Sequence, residues 1–438
     1  MIEVWSIGGY SEIGRNMTGV VVDDEAVILD MGLNMDKVVN YTGDDMHILP
    51  YDEMLKLDVI ADDSEFRKKH GKKVKAIVCG HAHLDHIGAV PVVAKKYNAP
   101  IIATPFTLEI VKSLYERRKI RNKLIQMKPR EKKKLSDNIT IEFVHITHST
   151  PQTVIIVIHT KYGKLIYAND YKLDDTPVLG KKPDYVRLKE LSREGVLLFL
   201  CDTTRVETEG KTPSESEVVK QLEKIFENDP AKGKAIFATF FASHIERLST
   251  FIKEAKKLKR TPIILGRSLS TYVGASIRLG IYDPKCEVYG YKKQIAKKFR
   301  QIRRNRGDYL VILTGNQGEP DAMLSQVIGG NFDFELQKGD VVVIASKIIP
   351  TPSCEKNREI LEERLKMKEA SVYTNIHSSG HASREDLRKI LNILKPKHFI
   401  PTHGGLEKIT SAAELSEEEG YVKGETVHIL QNGDKKVF

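Results

Sequence analysis

Six consecutive residues, His81-Ala82-His83-Leu84-Asp85-His86, combine three imidazoles and a carboxylate in a chain with only 14 histidines among 438 residues. The run 74–79 before them is apolar and β-branched, which predicts a buried strand. Helical spacing follows over 87–97, with Pro91 in the first turn. The six residues therefore belong to a strand-to-helix loop, where side chains converge on one point. Imidazole with carboxylate is typical of a Zn²⁺ site, and a polar surface loop is the alternative.

Further polar residues close strand-like runs elsewhere in the chain. An α/β protein commonly places its chemistry at the carboxyl end of a strand, although one such residue by itself is more often a satisfied polar side chain. Together with the histidine-rich loop they form a set, which predicts completing ligands. These residues, each with its run, are Asp30 (27–29), His148 (139–147), Asp170 (164–169) and His403 (398–402).

The whole set resembles the metallo-β-lactamase superfamily, whose signature is HxHxDH followed by a distant His, an Asp and a last His. The resemblance implies two Zn²⁺ per chain, with Mn²⁺ or Mg²⁺ as alternatives. Two ions about 3.5–4 Å apart would activate water and clamp a phosphoryl displacement. The implied ligands are His81, His83 and His148 for one ion, Asp85, His86 and His403 for the other, Asp170 as the bridge, and Asp30 as a support outside the ligand set.

Composition is consistent with an enzyme of the cytoplasm. A chain of 438 residues exceeds what one core usually organises, so two domains are expected. No apolar run approaches the ~20 residues of a membrane span, and the N-terminus lacks a signal peptide's layout. The four cysteines lie far apart without a CxxC pair, which favours reduced thiols. We therefore predict a cytoplasmic protein without a membrane segment.

Basic residues are clustered. The net charge is +10, and the run 292–306 has eight basic residues and no acidic one; the run 117–134, which includes Arg117, is similarly basic. Such runs attract polyphosphates, whereas a solvated helix face is the alternative interpretation. Beside a metal pair that can cut phosphodiesters, they favour a nucleic acid as the partner.

The rhythm of the chain changes near residue 212. Thr212-Pro213-Ser214-Glu215 predicts a helix start with Thr212 as the cap and Pro213 in the first position. Strands and helices then alternate as far as residue 345, which is typical of a doubly wound parallel sheet. A ligand at His403, beyond this region, implies that the first domain is split. We expect a first domain over 1–205, an inserted domain over 206–352 and a return segment over 353–438.

This layout resembles the β-CASP branch of the superfamily, which processes nucleic acids. The resemblance implies an α/β fold, namely a metallo-β-lactamase αββα sandwich with an inserted β-CASP domain. Three segments match its additional motifs: 201–204 (CDTT), 378–383 (SSGHAS) and 401–404 (PTHG). They imply site roles for Asp202 and His381, with His377 as the competing histidine. A histidine in the third motif, here His403, goes with RNA enzymes of the branch.

Within the RNA group the chain resembles ribonuclease J of the archaeal type. The matching segments are 314–320 (TGNQGEP), 239–244 (TFFASH) and 377–383 (HSSGHAS), and the chain ends at Phe438, like the shorter archaeal form. The resemblance implies single-stranded RNA as the partner and a homodimer as one assembly. It assigns the reaction to Asp85, Asp202 and His381. The implied substrate-binding residues are Ser243, His244, Gly315, Ser379, Gly380, His381 and Ser383.

We therefore expect metal-assisted hydrolysis of RNA, in RNA decay and maturation. The resemblance implies processive 5′–3′ digestion that favours 5′-monophosphate ends and releases nucleoside 5′-monophosphates. Three alternatives stay open: an RNA endonuclease of the polyadenylation-factor type, a small-molecule metallo-hydrolase, and an RNA-binding protein without catalysis.

Overall fold

The computed structural model describes residues 1–41, 49–115, 118–349 and 351–438; Arg117 of the basic run lies outside them. The chain forms two compact units. The first comprises Met1–Asp175, Lys181–Thr212 and Gly380–Phe438, and the second comprises Thr176–Gly180 and Pro213–Ser379. The first unit is thus discontinuous in sequence.

The structure places the return to the first unit at Gly380, where the sequence predicts it at residue 353. The helix Pro352–Met367 and the strand Ser371–Tyr373 account for the difference. That strand pairs in parallel with Val341–Ile344, and the helix buries Leu361 and Leu365 in the same core. Residues 353–379 therefore complete the second unit.

Two sheets form the centre of the first unit. The first sheet has the order β19-β1-β2-β3-β4-β5-β6 and the second has the order β18-β11-β10-β9-β8-β7, with the bounds that follow. The first contains β1 (Ile2–Gly8), β2 (Met17–Val22), β3 (Glu25–Leu29), β4 (Val74–Val78), β5 (Ile101–Ala103), β6 (Leu124–Gln126) and β19 (Lys435–Val437). The second contains β7 (Lys132–Lys134), β8 (Thr140–His145), β9 (Val154–Thr160), β10 (Gly163–Ala168), β11 (Val196–Asp202) and β18 (His398–Thr402).

Helices cover both outer faces of this pair of sheets. Phe66 packs against β2 at Gly19 on one outer face, and Leu188, Leu391 and Leu415 cover the other. The helices are α1 (Met35–Asn40), α2 (Tyr51–Lys56), α3 (Ser64–His70), α4 (Leu84–Ile87), α5 (Val90–Val93), α6 (Pro105–Leu114), α7 (Tyr185–Arg193), α14 (Arg384–Leu394) and α15 (Leu406–Glu418). Between the sheets, side chains such as Val20, Phe143 and Leu200 form a fully buried core. The predicted αββα sandwich is confirmed.

Strand direction brings the candidate residues to one edge of each sheet. Strands β3 and β4 are parallel, and so are β10, β11 and β18. Strand β8 runs in the same direction as β10, because both pair antiparallel with β9. The carboxyl ends of these strands therefore lie together, which is where an α/β sheet presents functional side chains.

A fully parallel sheet with the order β14-β13-β15-β12-β16-β17 forms the centre of the second unit. Its strands are β12 (Ile236–Thr239), β13 (Thr261–Leu265), β14 (Glu287–Tyr289), β15 (Tyr309–Leu313), β16 (Val341–Ile344) and β17 (Ser371–Tyr373). Its helices are α8 (Glu215–Phe226), α9 (Ile245–Lys257), α10 (Arg267–Arg278), α11 (Lys292–Arg304), α12 (Met323–Ile328) and α13 (Pro352–Met367). The predicted doubly wound parallel sheet is confirmed.

Two local predictions are wrong. The single helix predicted over 87–97 is broken into α4, α5 and the 3₁₀ turn Ala94–Lys96, because the amide of Ala89 donates to the carbonyl of Met31 instead of continuing the helix. Thr212 does not cap α8. Its amide donates to Asp386 Oδ2 (2.8 Å) and its hydroxyl to the carbonyl of His381 (2.7 Å), so Ser214 is the cap.

Candidate metal centre

The structure brings all seven predicted ligands together at the carboxyl edge of the two sheets. The loop after β4 and the short helix α4 that follows it contribute the first four residues of the set, and the segments just after β8, β10 and β18 contribute one residue each. The seven are His81, His83, Asp85, His86, His148, Asp170 and His403. Residues separated by more than 300 positions in sequence therefore share one site.

One group of ligand atoms surrounds the Oδ2 atom of Asp170. His81 Nε2 lies 3.3 Å from this oxygen, His148 Nε2 lies 3.4 Å from it and His83 Nδ1 lies 3.9 Å from it. His83 Nδ1 is also 3.2 Å from His81 Nε2 and 3.0 Å from His148 Nε2. A tetrahedral ion with ligands at about 2.0–2.1 Å separates its ligand atoms by about 3.3 Å. The four atoms thus have the spacing that one such ion requires.

A second group surrounds the other oxygen, Oδ1, of the same aspartate. His86 Nε2 lies 3.1 Å and His403 Nε2 lies 3.4 Å from Asp170 Oδ1. Asp85 Oδ2 is 3.5 Å from each of these two imidazole nitrogens. Asp170 therefore presents one oxygen to each group, which is the arrangement of a carboxylate shared by two ions.

The residues present fit a pair of divalent cations. Asp170 Oδ1 is buried and accepts no hydrogen bond from any described side chain or backbone group. A buried carboxylate oxygen without a donor is costly, and a bound cation removes that cost. The donor set of imidazoles and carboxylates also suits Zn²⁺ and other borderline divalent ions.

Burial and mutual charge control the ionisation of this cluster. Burial lowers the pKa of His148 well below its ordinary value and lowers that of His81 to about 4, where His86 adds to the effect. Burial also opposes the charging of His86, but the carboxylates of Asp170 and Asp85 outweigh it and raise the pKa of His86. Burial opposes ionisation of Asp170 too, yet its pKa lies well below the usual range beside His86 and His403. Ionised Asp170 with neutral His81 and His148 is ready to bind a cation.

Asp30 supports the cluster through hydrogen bonds. Its Oδ2 lies 2.8 Å from His86 Nδ1 and accepts from the Tyr167 hydroxyl at 3.0 Å, while its Oδ1 accepts from the amide of Gly80 at 3.0 Å. A carboxylate on the outer nitrogen of an imidazole orients the ring and raises its basicity as a ligand. Asp30 directly follows β3 and has a positive φ of 59°.

His381 and Asp202 lie beside the first ligand group. His381 Nδ1 is 2.8 Å from Asp202 Oδ2, and His381 Nε2 is 3.9 Å from Asp170 Oδ2. Thr204 fixes the other oxygen of Asp202 through its amide (2.7 Å) and its hydroxyl (2.5 Å). Burial opposes charging of His381, but Asp202 and Asp170 outweigh it and raise the pKa of His381 to about 9. The imidazole is thus held by one nitrogen and presents the other to the cluster.

Gly380 contacts the predicted ligand His148 directly. Its carbonyl lies 2.6 Å from His148 Nδ1, which fixes the proton on that nitrogen and leaves Nε2 for a cation. A Cβ atom at position 380 would lie 2.7 Å from His148 Cε1 and 2.8 Å from Nδ1. The glycine in the segment 377–383 is therefore needed for the close approach of backbone to imidazole.

Gly380→Ala should displace the His148 ring and lower kcat for RNA hydrolysis by about 100-fold, since a shift of about 1 Å in a reacting site has that order of effect. Hydrolysis of end-labelled RNA and metal content per chain are the measurements. Gly405→Ala is the matched control, because a Cβ there would meet nothing within 4 Å. Wild-type kcat and metal content in Gly380→Ala would contradict the assigned contact.

Two predicted substrate-binding residues of the first unit, Gly380 and His381, lie at the cluster as described above. Ser383 is fully buried at the start of α14, and its hydroxyl is 2.9 Å from that of Thr212. A direct contact of Ser383 with a phosphate would require this packing to open. Ser383 is therefore not proposed as a phosphate-binding residue.

The second unit holds the other predicted substrate-binding residues. Ser243 and His244 follow β12, and Gly315 follows β15, at the carboxyl ends of neighbouring strands. His244 Nε2 lies 3.7 Å from Glu215 Oε2. Ser379, which is 7% exposed, ends the unit. Carboxyl ends of central parallel strands are the usual site for a phosphate ligand in such a sheet.

Several supporting residues were missed from sequence. Asn16 Nδ2 donates to the carbonyl of Asp85 (3.0 Å) and lies 3.1 Å from His86 Nε2, and the amide of Gly14 lies 3.3 Å from His403 Nδ1. The glycines at positions 8, 9 and 14 were the available signal for a loop at close approach. Thr204 lies in the segment 201–204 that the sequence marked, but without a role of its own, and nothing in the local pattern marked Tyr167.

A buried ion pair in the second unit was missed as well. Arg247, with no exposed side-chain surface, donates to both oxygens of Glu215 at 2.8 and 2.7 Å. It also donates to the carbonyls of Ala345 (2.7 Å) and Ser378 (3.0 Å), and its Nη1 is 3.0 Å from His377 Nδ1. The Arg247–Glu215 pair therefore holds the start of the 377–383 segment in position. His377 packs against Arg247 in this arrangement.

No helix among the described residues is both long and apolar enough to cross a membrane.

Known protein families match this chain across both of its units. The metallo-β-lactamase superfamily matches residues 14–237, the ribonuclease J β-CASP domain matches 232–362, and the RNA specificity domain of zinc-dependent metallo-hydrolases matches 365–430. Ribonuclease J of Methanocaldococcus jannaschii is 42% identical over 99% of this chain and 98% of its own length. Ribonuclease J of Pyrococcus abyssi is 41% identical over 99% of this chain and 96% of its own length.

More distant similarities are consistent with these. Ribonuclease J of Synechocystis is 30% identical over 99% of this chain, which spans 65% of that longer relative. A crystal structure of a protein of unknown function from Enterococcus faecalis superposes with a TM-score of 0.70 at 17% identity, covering 100% of both chains. That similarity shows the fold alone.

Proposed function

The chain belongs to the ribonuclease J family of β-CASP metallo-hydrolases, and from this premise we propose that it is a processive 5′–3′ exoribonuclease. It would digest single-stranded RNA from a 5′-monophosphate end and release nucleoside 5′-monophosphates. The observation that carries the proposal is Asp170, whose two oxygens each face a separate group of ligand atoms.

We assign the two groups to two ions. His81, His83 and His148 would hold one ion, Asp85, His86 and His403 would hold the other, and Asp170 would contact both. Divalent ions bound there, which we propose to be Zn²⁺ with Mn²⁺ or Mg²⁺ as alternatives, supply Lewis acidity toward the phosphate and lower the pKa of water toward 7. Asp30 keeps His86 oriented for this role.

His381 is the residue we assign to the leaving group. Hydrolysis breaks the bond between phosphorus and the 3′-oxygen, and that oxygen must take up a proton. Asp202 holds Nδ1 of His381, which leaves Nε2 to donate the proton. The hydroxyl from water stays on phosphorus, so the remaining RNA carries a new 5′-phosphate and re-enters the same reaction.

We propose that the 5′-monophosphate contacts Ser243, His244, Gly315 and Ser379 of the second unit, with Gly380 and His381 beside the ions. Hydroxyl, imidazole and glycine amide groups are suitable donors to phosphate oxygens. A homodimer and a cytoplasmic location stay predictions.

An RNA labelled at its 5′ end, bearing either a monophosphate or a triphosphate, tests the proposal. We expect labelled mononucleotide as the first product from the monophosphate form, and at least tenfold slower release from the triphosphate form. The same RNA labelled at its 3′ end should shorten without discrete intermediates. Discrete internal fragments as first products would instead identify an endonuclease, and no hydrolysis of RNA with hydrolysis of small esters would identify a small-molecule hydrolase.

A further inference from the structure

The basic run 292–306 forms the helix α11 in the second unit, and its charges have an ordered arrangement. Ile295, Phe299 and Ile302 are buried and attach one face of the helix to the core. At about 100° per residue, Lys293, Lys297, Arg300 and Arg304 fall within an arc of about 60° on the opposite face. These four residues, named here the α11 stripe, are all exposed.

Ion pairs neutralise the flanks of α11 but not the stripe. Lys298 pairs with Glu287, Arg303 with Asp333, and Arg306, just beyond the helix, with Asp340. Within the described residues, no ion pair involves any residue of the α11 stripe. The outward charges are therefore available to a partner from solution.

The four cations of the α11 stripe repel one another, and this repulsion destabilises the helix more than a solvated face with paired charges would. Like charges three or four positions apart on a helix destabilise it, whereas α13 in the same unit pairs Arg358 with Glu362 at this spacing. An uncompensated row of cations is expected where a polyanion supplies the missing charge.

The dimensions suit a single strand. The first and last residues of the α11 stripe, Lys293 and Arg304, are 11 positions apart, which is about 16 Å along the helix. A stacked strand carries a phosphate every ~3.4 Å, so the stripe matches about three to five nucleotides. Tyr291, the residue before the helix, is 78% exposed, so an aromatic ring is accessible to solvent near one end of α11. Cations that follow a backbone, with an aromatic ring for a base, are the features of single-strand binding sites.

We propose that the α11 stripe and Tyr291 form a second contact site for single-stranded RNA, separate from the residues assigned to catalysis. The inference rests on RNA being the substrate, as proposed above. Its role is to raise the affinity for RNA longer than the few nucleotides that the catalytic residues occupy, without contributing to bond cleavage.

Salt titration of binding to a phosphorothioate RNA of about 25 nucleotides, chosen to resist hydrolysis, tests the site without turnover. The variant Lys293→Gln/Lys297→Gln/Arg300→Gln removes three contacts, so the slope of log affinity against log salt should fall by about 2, and affinity near 0.1 M salt should fall at least ~10-fold. Tyr291→Ala should weaken binding by about tenfold with an unchanged slope. Lys293→Arg/Lys297→Arg, which keeps the charges, should bind like the wild type.

Lys224→Gln/Lys253→Gln/Lys256→Gln is the matched control, since it removes three exposed charges from α8 and α9 of the same unit. It should change the slope little. In hydrolysis assays the stripe variant should raise KM for the long RNA and leave kcat and all constants for a dinucleotide unchanged. An unchanged slope, or an equal change in the control, would overturn the proposal. Because binding is measured without cleavage, a wrong direction or end preference of the nuclease would leave this result intact.

Discussion

Asp170→Asn should lower the bound metal from about two ions per chain to one or fewer and reduce kcat for RNA hydrolysis by at least about 1000-fold. The aspartate gives one oxygen to each ligand group, at 3.3 Å from His81 Nε2 and 3.1 Å from His86 Nε2. An asparagine of the same shape keeps one oxygen, turns an N–H₂ group toward the other imidazole and loses the negative charge. Removal of one group that stabilises charge in the transition state lowers kcat by about 10²–10³-fold. Asp170→Asn would remove a carboxylate shared by two cations, so its effect should be at least as large.

Metal content after dialysis and the hydrolysis of labelled RNA are the two measurements for Asp170→Asn. Asp175→Asn is the matched control, because Asp175 has an exposed side chain in the same unit and lies outside the cluster. Two ions per chain and normal kcat in Asp170→Asn would show that the carboxylate is not shared. An equal loss of metal and of kcat in Asp175→Asn and in Asp170→Asn would show that the change in net charge alone causes the effect.

His381→Ala should reduce kcat by about 10²–10⁴, the range for loss of a general acid, while the protein keeps about two metal ions. Asp202→Asn should also reduce kcat: Thr204 donates to Oδ1 and keeps that oxygen in place, so the asparagine turns its N–H₂ group, which cannot accept the proton, toward His381 Nδ1, 2.8 Å from Asp202 Oδ2 in the wild type. Asp202 is in this sense a positioning residue for His381. KM should change less than kcat in either variant, since His381 acts mainly as the proton donor in this scheme and several other residues contact the RNA.

Metal content separates the two roles that the geometry allows for His381. Its ligand atom lies within 4.8 Å of those of Asp170, Asp202 and His403, so the residue could hold a cation instead. Loss of an ion in His381→Ala would identify it as a ligand and refute the leaving-group assignment. An unchanged kcat in His381→Ala would show that His381 takes no part in the reaction. His145→Ala, on a half-buried histidine at the end of β8, is the control.

The proposed ligands could be predicted from the sequence because each lies close to a recognisable strand end. The segment 81–86 places four of them in one loop, and Asp170 and His403 each follow an apolar run that forms a strand as predicted. Parallel strand direction then brings their carboxyl ends to the same edge, which pattern and family resemblance together anticipate.

The supporting contacts could not be predicted from the sequence because they join residues that are far apart in it. The carbonyl of Gly380 holds His148 across 232 positions, and Asn16 reaches Asp85 across 69 positions. No periodicity specifies such contacts. Thr212 illustrates the same limit: its sequence context matches a helix cap, but Asp386 competes successfully for its amide.

The most direct test of the shared-carboxylate centre is anomalous X-ray diffraction of crystals grown with zinc, measured on both sides of the zinc absorption edge. Two anomalous peaks about 3.5–4 Å apart should appear, one beside His81, His83 and His148 and one beside Asp85, His86 and His403, with one oxygen of Asp170 facing each. A single peak, or peaks away from Asp170, would contradict the two-ion centre from which the proposed nuclease activity follows.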